Sequence, residues 1–104
     1  MEKEIKWFKT PKALFISKEY HNLKDGSTRL LNHLLYLHNS FKRQPFYQYM
    51  DDLAIYTGMS KKRIRSAKAD LEKNGFNIGA KRKGNIWCYD LNEIYKKYIA
   101  LKNM

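Results

Sequence analysis

Cysteine occurs once in the 104 residues, at Cys88, so no disulfide can form within the chain and a cross-linked secreted scaffold is excluded. Acidic residues are scarce: ten Asp and Glu face 21 Lys and Arg, leaving a formal charge of +11. Such an excess is costly in self-repulsion unless a polyanion relieves it, which makes nucleic acid the leading partner. Long apolar runs are missing. The longest, "RLLNHLLYL" at residues 29–37, is broken by Asn32 and His33 and falls far short of the ~20 residues of a membrane span. An anionic membrane surface would call for a basic amphipathic segment with an exposed apolar face or an adjacent anchor, and neither stands out. The opening "MEKEIKWFK" lacks the apolar core and cleavage site of a secretory signal, so the expectation is a cytoplasmic protein.

Catalytic and metal-binding patterns are equally thin. The histidines are His21, His33 and His38, and the last two are five residues apart, which puts them on different helix faces at the edge of a helix and away from ligand spacing. No cofactor or metal is expected. "DGSTR" lacks the lysine and spacing of a phosphate loop. Asp51 and Asp52 are adjacent and suit a helix start better than acid/base work. Cys88 has no His or acid pattern pointing to it and is expected as a buried structural thiol in a strand. These absences point away from an enzyme.

What remains is a single domain of 43% apolar and 14% aromatic residues, enough for a real core. "EIKWF" reads as a short extended arm. Thr10 and Pro11 then suit the N-cap and first position of a short helix. "ALFIS" supplies Leu14, Phe15 and Ile16 for burial, a helical turn follows at 18–23, and Asp25 with Gly26 marks a loop. From Ser27, Leu30, Leu34, Leu37 and Phe41 recur at helical spacing with Leu31 and Leu35 beside them, the best helix of the chain. "KRQPFYQYM" is a loop running into a short strand. "DDLAIYTG" is a helix of at most two turns, stopped by Gly58.

Ser60 is placed to cap a second helix with Ile64, Ala67 and Leu71 as its apolar stripe, ended by Asn74 and Gly75. The period then changes. Two strands, 77–80 and 85–90, are expected around a basic tip "KRKG", and Asn92 caps a last helix to about 102. The fold class is mainly α with a small β-hairpin.

Two helices joined by a short Gly-containing turn form the signature of a helix-turn-helix, here at about 50–75. Leu53 and Ala54 pack on Ile64 and Leu71, leaving Lys61, Lys62, Arg63, Arg65 and Ser66 outward, with Lys68 one turn on. The first turns of such a helix meet base edges and phosphates. Arg63 and Arg65 suit bidentate base reading, while Ser60, Lys61 and Lys62 suit backbone contacts. Lys81, Arg82 and Lys83 at the tip of a hairpin at 77–90 form a wing for the minor groove or phosphates. Residues 61–83 hold nine basic and two acidic residues, so +7 of the net +11 is concentrated there.

Rings provide a rival reading. Tyr47, Tyr49, Trp87 and Tyr89 can stack on the splayed bases of RNA or single-stranded DNA. Trp87 and Tyr89 alternate along the chain, however, and suit the inner face of the hairpin. A third reading keeps the fold without nucleic acid, as a protein-interaction adaptor.

The run "DDLAIYTGMSKKRIRSAKADLEKNGF" followed by a strand, a basic loop and "IWCYDL" resembles the winged-helix domains of plasmid and phage replication initiators and of bacterial transcription regulators. Upstream, "WFKTPKALF" and "LLNHLLYLHNS" are similar to the N-terminal portion of the replication-initiator winged helices. The resemblance implies double-stranded DNA binding in replication initiation, transcription regulation or partition of a mobile element, together with replication or transcription proteins. Two positions depart from the pattern: Lys68 stands where Leu is usual, and Tyr49 where a capping Ser or Thr is usual. A thinner core or shifted helix is the consequence. The last helix, with Tyr95, Tyr98, Ile99 and Leu101, is a candidate homodimer face, packing back on the domain being the equal alternative.

Overall fold

The computed structural model describes residues 12–99, so the expected arm, the Thr10–Pro11 cap and Leu101 lie outside it. Its central element is α3 (Asp25–Ser40), whose leucine spacing buries Leu30, Leu31, Leu34 and Leu35 completely. Truncating one of these to Ala would cost about 2–5 kcal/mol. The helix starts two residues before Ser27, so Asp25 and Gly26 form its first turn and not a loop. The cause is tertiary: Lys24 offers no side-chain cap, and the Asp70 carboxylate accepts the Lys24 N–H at 3.0 Å and the Ser27 hydroxyl at 2.7 Å.

Two short helices, α1 (Lys12–Phe15) and α2 (Lys18–His21), precede it. Ser17 links them, donating to the Leu14 carbonyl at 2.7 Å and accepting the Tyr20 N–H at 3.3 Å. Of the expected apolar trio only Leu14 is buried; Phe15 and Ile16 face solvent, because so short a helix turns one residue in three inward.

After α3 comes β1 (Phe46–Tyr49), which runs directly into α4 (Met50–Thr57). Tyr49 caps α4 without a side-chain bond, and Asp51 and Asp52 in the first turn favour its positive end. Gly58, left-handed at φ 70°, stops it. The Thr57 carbonyl left over at that end accepts from Arg29 Nη1 at 3.2 Å.

The next helix, α5 (Lys61–Lys73), starts at Ser60, whose hydroxyl accepts the Arg63 N–H at 3.1 Å. It ends with the Phe76 N–H on the Leu71 carbonyl and the Gly75 N–H on that of Glu72, a Schellman closure with Phe76 folded into the core. Ile64, Ala67 and Leu71 are buried against α3 and Leu53, as their spacing requires, with Ala54 half-buried beside them.

The expected strand at 77–80 is absent. Asn77 Oδ1 accepts the Gly79 N–H in a local turn, and Gly79 adopts φ 58° where a Cβ would lie 2.7 Å from the Asp90 carbonyl. The strands are instead β2 (Lys81–Lys83) and β3 (Ile86–Tyr89), joined by Gly84 and Asn85. Lys81, Arg82 and Lys83 are thus strand residues, not a loop tip. With β1 they form an antiparallel sheet in the order β1-β3-β2. Rows pair as Phe46–Tyr89, Tyr47–Cys88–Lys81, Gln48–Trp87–Arg82 and Tyr49–Ile86–Lys83.

The chain closes with α6 (Asn92–Ile94), which widens into a π-helical turn over Tyr95–Ile99. Asn92 is not its cap; Leu91 takes that position, and Asp90 Oδ1 accepts the Asn92 N–H at 3.1 Å. Tyr95 and Tyr98, expected on a dimer face, are buried in the domain's own core. Tyr95 donates to the Leu35 carbonyl at 3.3 Å, and the Tyr98 hydroxyl bonds Glu19. Both rings thus pack back on the domain, the alternative expected for this helix.

His38 is a further correction. It does not ride the edge of α3 but is fully buried between the rings of Phe46 and Tyr95, with Asp90 3.7 Å from Nε2. Among the described residues no helix is long and apolar enough to cross a membrane, and no group of three potential ligands could hold a metal.

Candidate nucleic-acid interface

At about 100° per residue, the buried stripe of α5 fixes the direction of every other side chain on it. Lys62 and Ser66 point straight outward and are exposed. Lys61, Arg65 and Lys68 lie on the flank toward the sheet. Arg63 lies on the opposite flank, toward α3, and its guanidinium covers Gly26, where a Cβ would meet Nη2 at 3.2 Å. The two arginines expected to read bases therefore diverge, a direct result of their spacing of two. Among the described residues no carboxylate pairs with Lys62, Arg63 or Arg65.

Between the start of α5 and the hairpin runs an open groove of about 430 Å³. Lys61 and Arg65 line one wall, Arg82, Asn85 and Trp87 the other, and Tyr49 and Asp51 one end. Asp51 binds the Lys61 ammonium, so one of the expected phosphate contacts is already neutralised. Arg82 is steadied by donating from Nε to the Gly84 carbonyl at 2.9 Å, which places its charge across the groove from Arg65.

Lys68 is not part of the exposed basic surface. Its ammonium sits 3.7 Å from the centre of the Trp87 ring and 4.8 Å from that of Tyr89, is buried, and has no hydrogen-bond partner. Burial, with the charge of Arg65 adding to it, pushes its pKa down to about 8.

The basic hairpin divides its charge. Alternation along β2 sends Arg82 to the side of Trp87 and the groove, and Lys81 and Lys83 to the other face with Tyr47 and Tyr49. Tyr89 and Trp87 take the inner side, as their alternation predicts, with Tyr89 fully buried and Trp87 half-buried. Cys88 is half-buried on the outer side of the sheet, not a core thiol.

Of the residues expected on the duplex, the groove brings together Lys61, Arg65 and Arg82, with Lys62 and Ser66 beside it; Asp51 and Asn85 are not among those expected there, and Tyr49 is expected only for stacking on single strands. The chain matches no protein-family model, no curated protein and no solved structure.

Proposed function

We propose that the protein is a winged helix-turn-helix that binds double-stranded DNA sequence-specifically, with α4 and α5 as the helix pair and β2–β3 as the wing. The observation that carries this reading is the Ser60-capped start of α5, where Lys62, Arg63 and Arg65 are exposed and have no carboxylate partner among the described residues, while Arg82 faces Arg65 across the groove. A helix presented in this way fits a major groove about 12 Å wide, with its first turn on base edges and phosphates. Arg65 is the residue we assign to base reading, Lys62 and Ser66 to the backbone or adjacent bases, and Arg82 to phosphate beside the helix. The resemblance to replication-initiator and regulator domains suggests a role in replication, transcription or partition of a mobile element.

The test is binding of duplex fragments selected from the native genome, followed by salt titration. About six phosphate contacts give a log-log slope of roughly −5. Arg65→Ala should cost about 1–3 kcal/mol and relax sequence choice, while Arg82→Ala should weaken all duplexes alike. A flat salt response would sink the DNA reading and favour the protein-interaction adaptor.

A further inference from the structure

Apart from Tyr49, which also borders the end of the groove, the outer face of the sheet carries residues that the duplex interface does not use. Register places Tyr47, Cys88 and Lys81 in one row and Tyr49, Ile86 and Lys83 in the next. Both tyrosines, at one edge, are more than half exposed, 54% and 53%. Both lysines stand exposed at the opposite edge, and Ile86 and Cys88 form a half-buried floor between them. None of these six residues is acidic.

From this we infer that the outer face of the β1-β3-β2 sheet is a second nucleic-acid site, taking single-stranded DNA by stacking bases on Tyr47 and Tyr49 while Lys81 and Lys83 hold its phosphates. Side chains two apart on a strand are separated by about 7 Å, twice the 3.4 Å rise of a duplex strand. Bases can meet rings at that spacing only when they have left the duplex stack. The edges lie two strand spacings apart, about 10 Å, so a strand anchored on the lysines can lay its bases over Ile86 and Cys88 onto the tyrosines. That floor, Ile86 and a thiol, offers no strong hydrogen-bonding group to recognise a 2′-hydroxyl. The choice of DNA over RNA also rests on the duplex reading, since a neighbouring duplex would supply the strand.

The intact protein should be titrated with an oligothymidylate of about twelve nucleotides, the matching oligouridylate and a duplex. Tyr47→Ala and Tyr49→Ala should each weaken single-stranded DNA binding about tenfold, as expected for loss of one stacked base, and Tyr47→Ala, at a residue outside the groove, should leave duplex binding within about twofold. Tyr47→Phe should restore it. Arg65→Ala should show the reverse pattern. Cys88, the sole cysteine, reports the face directly: the single strand should slow its alkylation by iodoacetamide and the duplex should not. Single-strand affinity insensitive to both tyrosines, or lost in step with Arg65, would overturn the second site. Tighter binding of the oligouridylate would overturn its assignment to DNA. Absent duplex binding with the tyrosine effect intact would refute the duplex interface and leave the sheet face standing.

Discussion

Asp70, near the end of α5, caps the start of α3 by accepting the Ser27 hydroxyl at 2.7 Å and the Lys24 N–H at 3.0 Å. One carboxylate thus fixes the helix bearing the candidate DNA contacts against the helix that supplies four fully buried leucines to the core. It also completes an orphaned helix terminus that has no cap of its own. Burial alone would raise the pKa of Asp70, but the hydrogen bonds from Ser27 and Lys24 and the nearby Lys24 and Lys73 charges outweigh it, and the net shift is downward.

Replacing this carboxylate should therefore be felt at a distance from any ligand. Asp70→Asn should lower stability by about 1–2 kcal/mol at neutral pH. Because the folded pKa lies below the unfolded one, the contribution is complete above the unfolded value of ~3.9 and is lost as pH falls through the folded value. Urea melts should show the gap between wild type and variant narrowing below about pH 4. A constant gap would mean that the charge is not what caps the helix.

His38 gives a second, separate pH window. Burial lowers its pKa, and Arg43 adds to this while Asp90 opposes it. Neither ring nitrogen has a hydrogen-bond partner. The folded state thus prefers neutral His38, and the unfolded chain binds the proton first. Its contribution is complete above the ordinary value of ~6.5 and declines as pH falls below it. His38→Phe should keep the ring packing between Phe46 and Tyr95 and remove that decline, measured as urea midpoints at about pH 7.5 and 5.5. An unchanged slope would assign the acid sensitivity to another group.

How much was legible follows from where each signal lay. Local signals carried through: the Ser60 cap, the Gly58 stop, the stripe Ile64, Ala67 and Leu71, and the leucines of α3 all act within one or two turns. Signals that depend on a partner far along the chain did not. The start of α3 is set by Asp70, 45 residues after Asp25. The strand expected at 77–80 yields to a left-handed Gly79 pressed against Asp90. In the candidate interface, clustering of charge was readable, but the facing of each charge was not. Arg63 and Arg65 separate because residues two apart on a helix cannot share a face, and Lys81 and Lys83 leave Arg82 because strand neighbours alternate.

Lys68 tests the difference between a cation near DNA and a cation serving the core. Lys68→Met should alter duplex affinity by less than about twofold and leave the salt slope unchanged, since the ammonium is held over Trp87 at 3.7 Å. The folded pKa of about 8 lies below the unfolded ~10.4, so the unfolded chain retains the proton between them. The burial penalty is therefore complete below pH 8 and relieved as pH rises to ~10.4, which makes wild-type stability climb across that window. The Met variant should lack the climb and match or exceed wild type at pH 7. A loss beyond about 1 kcal/mol there would show that attraction to the rings outweighs desolvation.

Asp51 sets the effective charge of the groove. By binding the Lys61 ammonium it removes one cation from the surface and adds an anion at one end of the groove. Neutralising it should free Lys61 for phosphate, so Asp51→Asn should tighten duplex binding about two- to fivefold and steepen the salt slope by about one. The loss of a favourable charge at the start of α4 should cost no more than about 1 kcal/mol of stability, which a melt would verify. In the wild-type background Lys61→Ala should weaken binding less than Lys62→Ala, whereas in the Asp51→Asn background the two losses should become similar. Weaker binding by a stable Asp51→Asn protein would instead mean that the carboxylate orients Lys61 productively, and that the pair acts on DNA as a unit.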